Sequence, residues 1–532
     1  MALARRPLAC ALALRLAGAL LVHTYIHPDE TWQSLEVAHR LAFGYGYATW
    51  EWRHGLRGFA HPMLFAAVYR AVRMLGLDGT FLVVAAPYAL AAAIAAAADY
   101  ATLRLADRVA GRDVARWALA CSAASMAMAT GVTRPLANSA ETALAAGAFA
   151  CWPWGRGGSL LAALVLAALA CIVRPTSAAL WLCAALALLA SQPRARMAVR
   201  AARIVGTAAC VGAAAVAAML AIDRVGYGRW VLPPYNFYMF NVHEGLATWF
   251  GETPALYHLY ASVPILFTSM LPFVLHGIYL AFRTHAVTRA PAVVALGAAV
   301  LFSLAGHSEY RFLYPLLPIG HLYAAVSINA LAGPLGKPAA AATATMAPPP
   351  ASPKGAAKRR WWSPATVLAY LLLTNVPPAL YLNLVHQRGV VDVMRHLRHG
   401  AQAGRVTSIG FLMPCHSTPF YSHLHVDIPM WFLSCEPPLS RAGLDSHYWE
   451  AGDFEQHPAE FVREIFAASG PPAPPRSRRQ KPSHLVLYDA TARRIPHDLA
   501  ALGYAETARF FNTHFSGDPR RSGDVVVYAL SG

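Results

Sequence analysis

The residues best suited to chemistry begin at His27-Pro28-Asp29-Glu30, directly after an apolar run. Two adjacent carboxylates beside a bilayer surface can take a proton from a hydroxyl or orient the molecule that carries it. The same pair also suits a helix N-cap, where acids meet unpaired N–H groups and the positive end of the dipole. Trp32, Gln33, Glu36 and His39 follow, and the last two share a helical face with Asp29. A second group is Thr49-Trp50-Glu51-Trp52 with Arg57. Indole faces stack on pyranose rings and carboxylates accept their hydroxyls, although an interfacial aromatic belt uses the same residues.

Four short segments place polar groups at apolar boundaries. They are Thr133-Arg134-Pro135 with Asn138 and Glu141; Arg174-Pro175-Thr176; Asn236 and Asn241 with His243; and His307-Ser308-Glu309-Tyr310-Arg311. Asn138 and Glu141 fall inside an apolar stretch, where a polar side chain is costly and suggests function. Arg134, Arg174 and Arg311 suit an anionic ligand such as a lipid phosphate. Pairing with Glu30, Glu141 or Glu309 accounts for them equally well. The sequence holds no phosphate-binding P-loop, no dinucleotide fingerprint and no spaced His/Cys metal cluster. An enzyme built this way would draw an activated group from a lipid carrier.

The elements that must position these residues are membrane spans. Of 532 residues, 57% are hydrophobic and 13% charged, against about 25% charged in soluble chains. About eleven stretches suit spans: 8–26, 80–98, 114–131, 138–153, 158–173, 176–191, 203–221, 259–282, 292–306, 311–331 and 364–383. With a cytosolic N-terminus, the strongly basic loops all fall on one side. They hold Arg104, Arg108 and Arg112; Arg194, Arg196 and Arg200; Arg283 and Arg289; and Lys354, Lys358, Arg359 and Arg360. The net charge of +17 is therefore spread among loops, which argues against a nucleic-acid groove.

The far face carries 27–79, 132–137, 174–175, 222–258, 307–310 and the chain beyond about 384, which together hold the candidate groups. Within the first loop, Leu64, Phe65, Val68, Val72 and Leu75 share one face of a helix over 63–75, opposite Arg70 and Arg73. That helix suits either the membrane surface or the core of the loop. The Ala/Pro/Lys-biased stretch Gly333 to Pro364 reads as a flexible cytosolic linker, and 471–482 as a surface loop. Strand-like runs at 407–413, 484–488 and 524–528, with helical patterns at 390–402 and 457–468, predict a small soluble α/β tail. Cys415 and Cys435 share that tail, where an oxidising compartment would permit a disulfide.

The run His27-Pro-Asp-Glu-Thr-Trp-Gln-Ser-Leu-Glu-Val-Ala-His39, then Phe43-Gly-Tyr-Gly-Tyr-Ala-Thr-Trp-Glu-Trp52, resembles the dolichol-phosphate-mannose-dependent mannosyltransferases of the endoplasmic reticulum. Thr133-Arg134-Pro135, Arg174-Pro175-Thr176, Tyr235-Asn-Phe237, Phe240-Asn-Val242 and the His307–Pro315 segment support the match. The tail run Phe411-Leu-Met-Pro-Cys-His416 and Cys435-Glu-Pro-Pro438 resembles the branch that adds the third mannose to the glycosylphosphatidylinositol (GPI) precursor. Two departures stand out: Gly58 where the family tends to have Ser, and Ser308 where it tends to have a basic residue.

The resemblance implies a polytopic GT-C fold: a 1–331 core with lumenal loop 27–79, a 332–363 cytosolic linker, a last span at 364–383 and a lumenal α/β domain at 384–532. It implies an inverting transfer from dolichyl phosphate β-mannose to the GPI precursor glycolipid, making an α-1,2 linkage in the endoplasmic reticulum lumen. Asp29 would be the base and Glu30 would orient the acceptor or tune that base, with Arg311 and His307 on the departing phosphate. Trp32, Gln33, Glu36, Trp50, Glu51, Trp52, Arg57, Arg134, Arg174, Asn236, Asn241, Glu309 and His416 are implied to bind substrate, with no metal, no cofactor and no nucleic acid. Siblings acting on the N-glycan lipid precursor or the fourth GPI mannose are the nearest alternatives. A secondary transporter would show polar residues in two matching halves, whereas here they gather at one face.

Overall fold

A computed structural model describes residues 6–154, 157–192, 197–284, 288–336, 362–467 and 476–531. A helix lies on every expected span. Five are long and apolar enough to cross a membrane: Leu82–Ala110, Met197–Tyr227, His258–Thr284, Tyr310–Ala332 and Pro364–Gln402. Pro7–Leu20, Leu160–Val173, Pro175–Ala190 and Ala290–Phe302 are shorter apolar helices. The protein is thus a multi-pass membrane protein. Most of the expected 333–364 linker, with Lys354, Lys358, Arg359 and Arg360, lies outside the described residues, as do Arg194 and Arg196.

Small residues let these helices approach closely. Ala91, Ala92, Ala95 and Ala98 bury one face of Leu82–Ala110. Gly277 packs so tightly that an added Cβ would sit 1.8 Å from the Tyr323 carbonyl oxygen. One charge pair is sealed inside this bundle. Arg15 donates to both Asp99 oxygens at 2.7 and 2.9 Å and to the Ser122 carbonyl at 2.7 Å. The Ser122 hydroxyl also donates to Asp99 at 2.6 Å, so each desolvated charge has several partners.

The first long loop, expected over 27–79, folds into three short helices. A π-helical turn at Thr31–Leu35 runs into Glu36–Phe43, which ends where Gly44 turns left-handed at φ 87°. Trp50–Arg53 follows, then Ala60–Met74. That last helix is core to the loop, because Phe65, Tyr69 and Val72 are buried. Arg70 and Arg73 donate to the Leu41 and Ala42 carbonyls, capping the end of Glu36–Phe43. Leu64, Met74 and Leu75 remain exposed.

The tail is a five-stranded sheet in the order β2-β1-β3-β5-β4, built from β1 Ile409–Phe411, β2 Met430–Phe432, β3 His484–Tyr488, β4 Tyr504–Phe510 and β5 Val525–Leu530. β1 runs parallel to β2 and β3, while β5 is antiparallel to β3 and β4. Helices Gly389–Gln402 and Pro458–Ile465 pack against it. Residues 471–475 of the expected surface loop lie outside the described residues. The rest of it is tied down: Arg476 pairs with Asp453 and Arg479 with Glu450, each at 2.7 Å.

Cys415 and Cys435 form a disulfide across 20 residues that include β2 and the segment against the first loop. Closing a loop of this length removes about 3 kcal/mol of unfolded-state entropy. Cys435→Ser is expected to lower the tail's unfolding temperature and to speed proteolysis between 415 and 435, read by thermal melts and mass-mapped digestion. Unchanged melting would show that the bridge contributes nothing to stability.

Candidate active site

The start of the first loop is fixed by one guanidinium. Arg134 and Glu30 are both fully buried, with N–O distances of 2.9 and 3.0 Å. Arg134 also donates to the Thr24 carbonyl (2.8 Å), the Thr24 hydroxyl (2.7 Å), the Thr130 carbonyl (2.8 Å) and Asn383 Oδ1 (3.2 Å). All five of its N–H groups are thereby engaged. The resemblance implies substrate contact for Arg134 and, for Glu30, either orienting the acceptor or tuning the base. The structure instead buries both in the wall that holds the loop.

Asp29, the next residue back, faces the other way. Its carboxylate meets Arg311 Nη1 at 2.6 Å, with 23% of the side chain exposed. Arg311 grips Glu309 with two further bonds, 2.8 Å from Nε and 2.5 Å from Nη2. His307 stands 3.6 Å from Glu309 and hydrogen-bonds the Gly251 carbonyl through Nδ1 at 2.8 Å. Its bond to Glu309 raises the His307 pKa, although burial opposes this. Burial is the largest single influence and would raise Glu309, but the Arg311 charge together with the hydrogen bonds from His307 and Arg311 outweighs it and holds the carboxyl well below its usual range. His27 is pushed down to about 3, first by burial and then by Arg311, so it is neutral where it meets the Tyr310 hydroxyl at 2.8 Å.

The third arginine is paired as well. Arg174 lies 3.0 Å from Glu141 and donates to Asn138 Oδ1 at 2.9 Å, while Asn138 donates to the Arg311 carbonyl at 3.1 Å. Arg174 also lines a cavity with Gln33, Trp52, Arg57, His61 and Phe237. Behind two of these lining residues, the buried Glu51 accepts from Arg57 at 2.8 and 3.0 Å and from Gln33 at 3.0 Å. Trp50 and Trp52 are largely buried, against Phe240 and Phe59 respectively. Asn236 donates to the Gly55 carbonyl at 3.1 Å, whereas Asn241 bonds within its own helix to Phe237. These last two therefore support the wall.

Trp32, Glu36 and His416, implied to touch substrate, sit instead at the joint between loop and tail. Trp32 is 2% exposed, donates to the Thr418 carbonyl at 2.9 Å and packs its ring, tilted, 4.3 Å from that of His416. Glu36 accepts from the Phe420 and Ser422 amides at 2.9 and 3.0 Å and from the Ser422 hydroxyl at 2.5 Å. Burial pushes its carboxyl up to about 7, against those three donors. Thr24 and Asn383 belong to these networks, and only their partners stood out in the sequence. A metal-type cluster among the described residues, Cys415, His416 and Cys435, has both sulfurs in the disulfide.

Residues 7–425 match the model of the Alg9-like mannosyltransferase family. Over 97% of its length the chain is 39% identical to GPI mannosyltransferase 3 of Yarrowia lipolytica, covering 96% of that protein. It is 32% identical to human GPI alpha-1,2-mannosyltransferase 3 over 97% of this chain and 85% of that one. Among solved structures it is similar to ArnT from Cupriavidus metallidurans bound to undecaprenyl phosphate. The TM-score is 0.57 at 13% identity, covering 98% of this chain and 97% of that one.

Removing one partner of a buried ion pair strands the other charge, at a cost of about 3–5 kcal/mol. Arg134→Gln is therefore expected to lower the melting temperature in detergent sharply. Adding Glu30→Gln should recover part of the loss. If Arg134→Gln melts like the wild type, the pair does not hold the loop.

Proposed function

This chain belongs to the Alg9-like mannosyltransferase family and has the GT-C fold, and we propose that Asp29 is its general base. It is a membrane mannosyltransferase of GPI-anchor biosynthesis, taking a lipid-linked sugar to a glycolipid acceptor. The finer reading is transfer of mannose from dolichyl phosphate β-mannose to the 2-hydroxyl of the second mannose, in the endoplasmic reticulum lumen. A β-donor giving an α-product requires inversion, hence one displacement and one base. Phosphate leaves readily, so the second acid that glycoside hydrolysis needs is dispensable.

The observation that carries this reading is the uneven sharing of Arg311. Both carboxylates are partly exposed, but Glu309 holds it with a two-pronged grip, whereas Asp29 holds it by one contact at 2.6 Å. A phosphate entering the site competes for the same guanidinium. Asp29 is the partner with less to lose. Donor binding would move Arg311 onto phosphate and release the carboxylate beside the incoming hydroxyl, joining base activation to donor occupancy. Arg311 would then stabilise the departing dolichyl phosphate, with His307 adjacent. Gln33 and Arg57, backed by Glu51, offer the cavity lining to sugar hydroxyls. The tail at 384–532 we place in the lumen, and 332–363 in the cytosol.

Complementation of cells lacking the third GPI mannosyltransferase tests the substrate and the base together. Wild type is expected to restore surface GPI-anchored protein. Asp29→Asn at matched expression should leave a two-mannose intermediate, with turnover down about 10²–10⁴-fold. Full rescue by Asp29→Asn would remove it as base. Failure of wild type would favour a sibling substrate, detectable in lipid-linked N-glycan precursors. Arg311→Lys, which keeps the charge but loses the fork, should raise the donor KM.

A further inference from the structure

A groove opens between the loop helix Trp50–Arg53 and the tail segment that follows the disulfide. Trp50 and His54 line one side; Glu436, Ser440, His447 and Tyr448 line the other. Its surroundings are aromatic: Trp249 lies 5.4 Å from His447 and 5.8 Å from Trp449, and Phe250, half exposed, lies parallel to Trp50 at 6.4 Å. We propose that this groove is the subsite for the unreacting sugar rings of the acceptor glycolipid.

The chemistry selects a neutral carbohydrate. Trp50 is largely buried, but the partly exposed rings of Tyr448 and Trp249 and the half-exposed Phe250 offer flat apolar faces that match the C–H face of a pyranose. Polar atoms surround them without surplus charge, because Glu436 is paired with Arg53. Among the described residues of this lining, anionic headgroups therefore find no free cation. His447 Nε2 donates to the Glu436 carbonyl at 2.6 Å, which leaves Nδ1 as an acceptor for a hydroxyl. The far wall is rigid where it must be: Cys435 is bridged to Cys415, and the Arg441 amide donates to Glu244 at 3.1 Å.

The groove is joined to the reacting centre by an unbroken run of contacts. Phe250 lies 6.3 Å from the His307 ring, His307 adjoins Glu309, Glu309 holds Arg311, and Arg311 holds Asp29. This assignment rests on the mannosyltransferase reading above. In that reading the donor contributes one sugar, which must sit at Asp29. Only the acceptor carries further rings that need a surface of their own, and binding them there would position the reacting hydroxyl.

Steady-state kinetics in membranes, varying donor and acceptor separately, tests the idea. Ser440→Trp, which fills the groove, and His447→Ala, which strips one wall, should each raise the acceptor KM about tenfold while the donor KM stays put. An acceptor KM unmoved in both variants, or a donor KM that rises equally, overturns the subsite. A wild type that transfers no mannose to this glycolipid overturns the functional reading itself, and the subsite with it. If Ser440→Trp fails to elute as a monodisperse protein, His447→Ala decides alone.

Discussion

Arg134 buried against Glu30 is the constraint on which the site depends. A guanidinium with no access to water is tolerable only if its whole fork is occupied. Here the fork draws together three parts of the chain that are distant in sequence: the first loop at Thr24 and Glu30, the turn at Thr130 and the last span at Asn383. Satisfying one charge thus fixes where the loop leaves the membrane. Glu30 points inward to that charge, so its neighbour Asp29 must point away, toward Arg311. Two consecutive acids have different roles because one of them is used up by the wall.

The remaining arginines follow the same logic of local neutrality. Arg174 is held by Glu141 and Asn138, and Arg311 by Glu309 and Asp29. Each of these cations carries its own counter-charge, so the phosphate of the proposed donor would have to exchange partners instead of finding a bare cation. The cost of exchange is smallest where the grip is single. Among these three arginines, only Arg311 combines a single contact with a partly exposed partner carboxylate.

Much of this was legible in the sequence because it is local. The acid pair, the Trp-Glu-Trp run and the arginine segments were visible as side-chain types at boundaries. The arginine–glutamate pairing stood open beside ligand binding, and the geometry shows every pair formed. Strands β1, β3 and β5 announce themselves through β-branched and apolar runs. β2 does not, since three residues, Met430–Phe432, carry no period. β4 is hidden by its exposed Ala505, Glu506 and Thr507. Contacts such as Trp32 to Thr418 span 386 residues, and no spacing rule reaches that far.

That long-range joint changes what the tail is. By composition it is a soluble domain appended after the last span. Yet Trp32 and Glu36, on the helix that begins at Asp29, are buried against its 416–422 segment. The tail thus closes the loop's outer side as Arg134 closes its inner side. Both faces of the helix that carries Asp29 are then fixed by groups from other parts of the chain. The partly exposed Asp29 carboxylate is held between them, and in the role proposed for it, positioning of that kind contributes directly to rate.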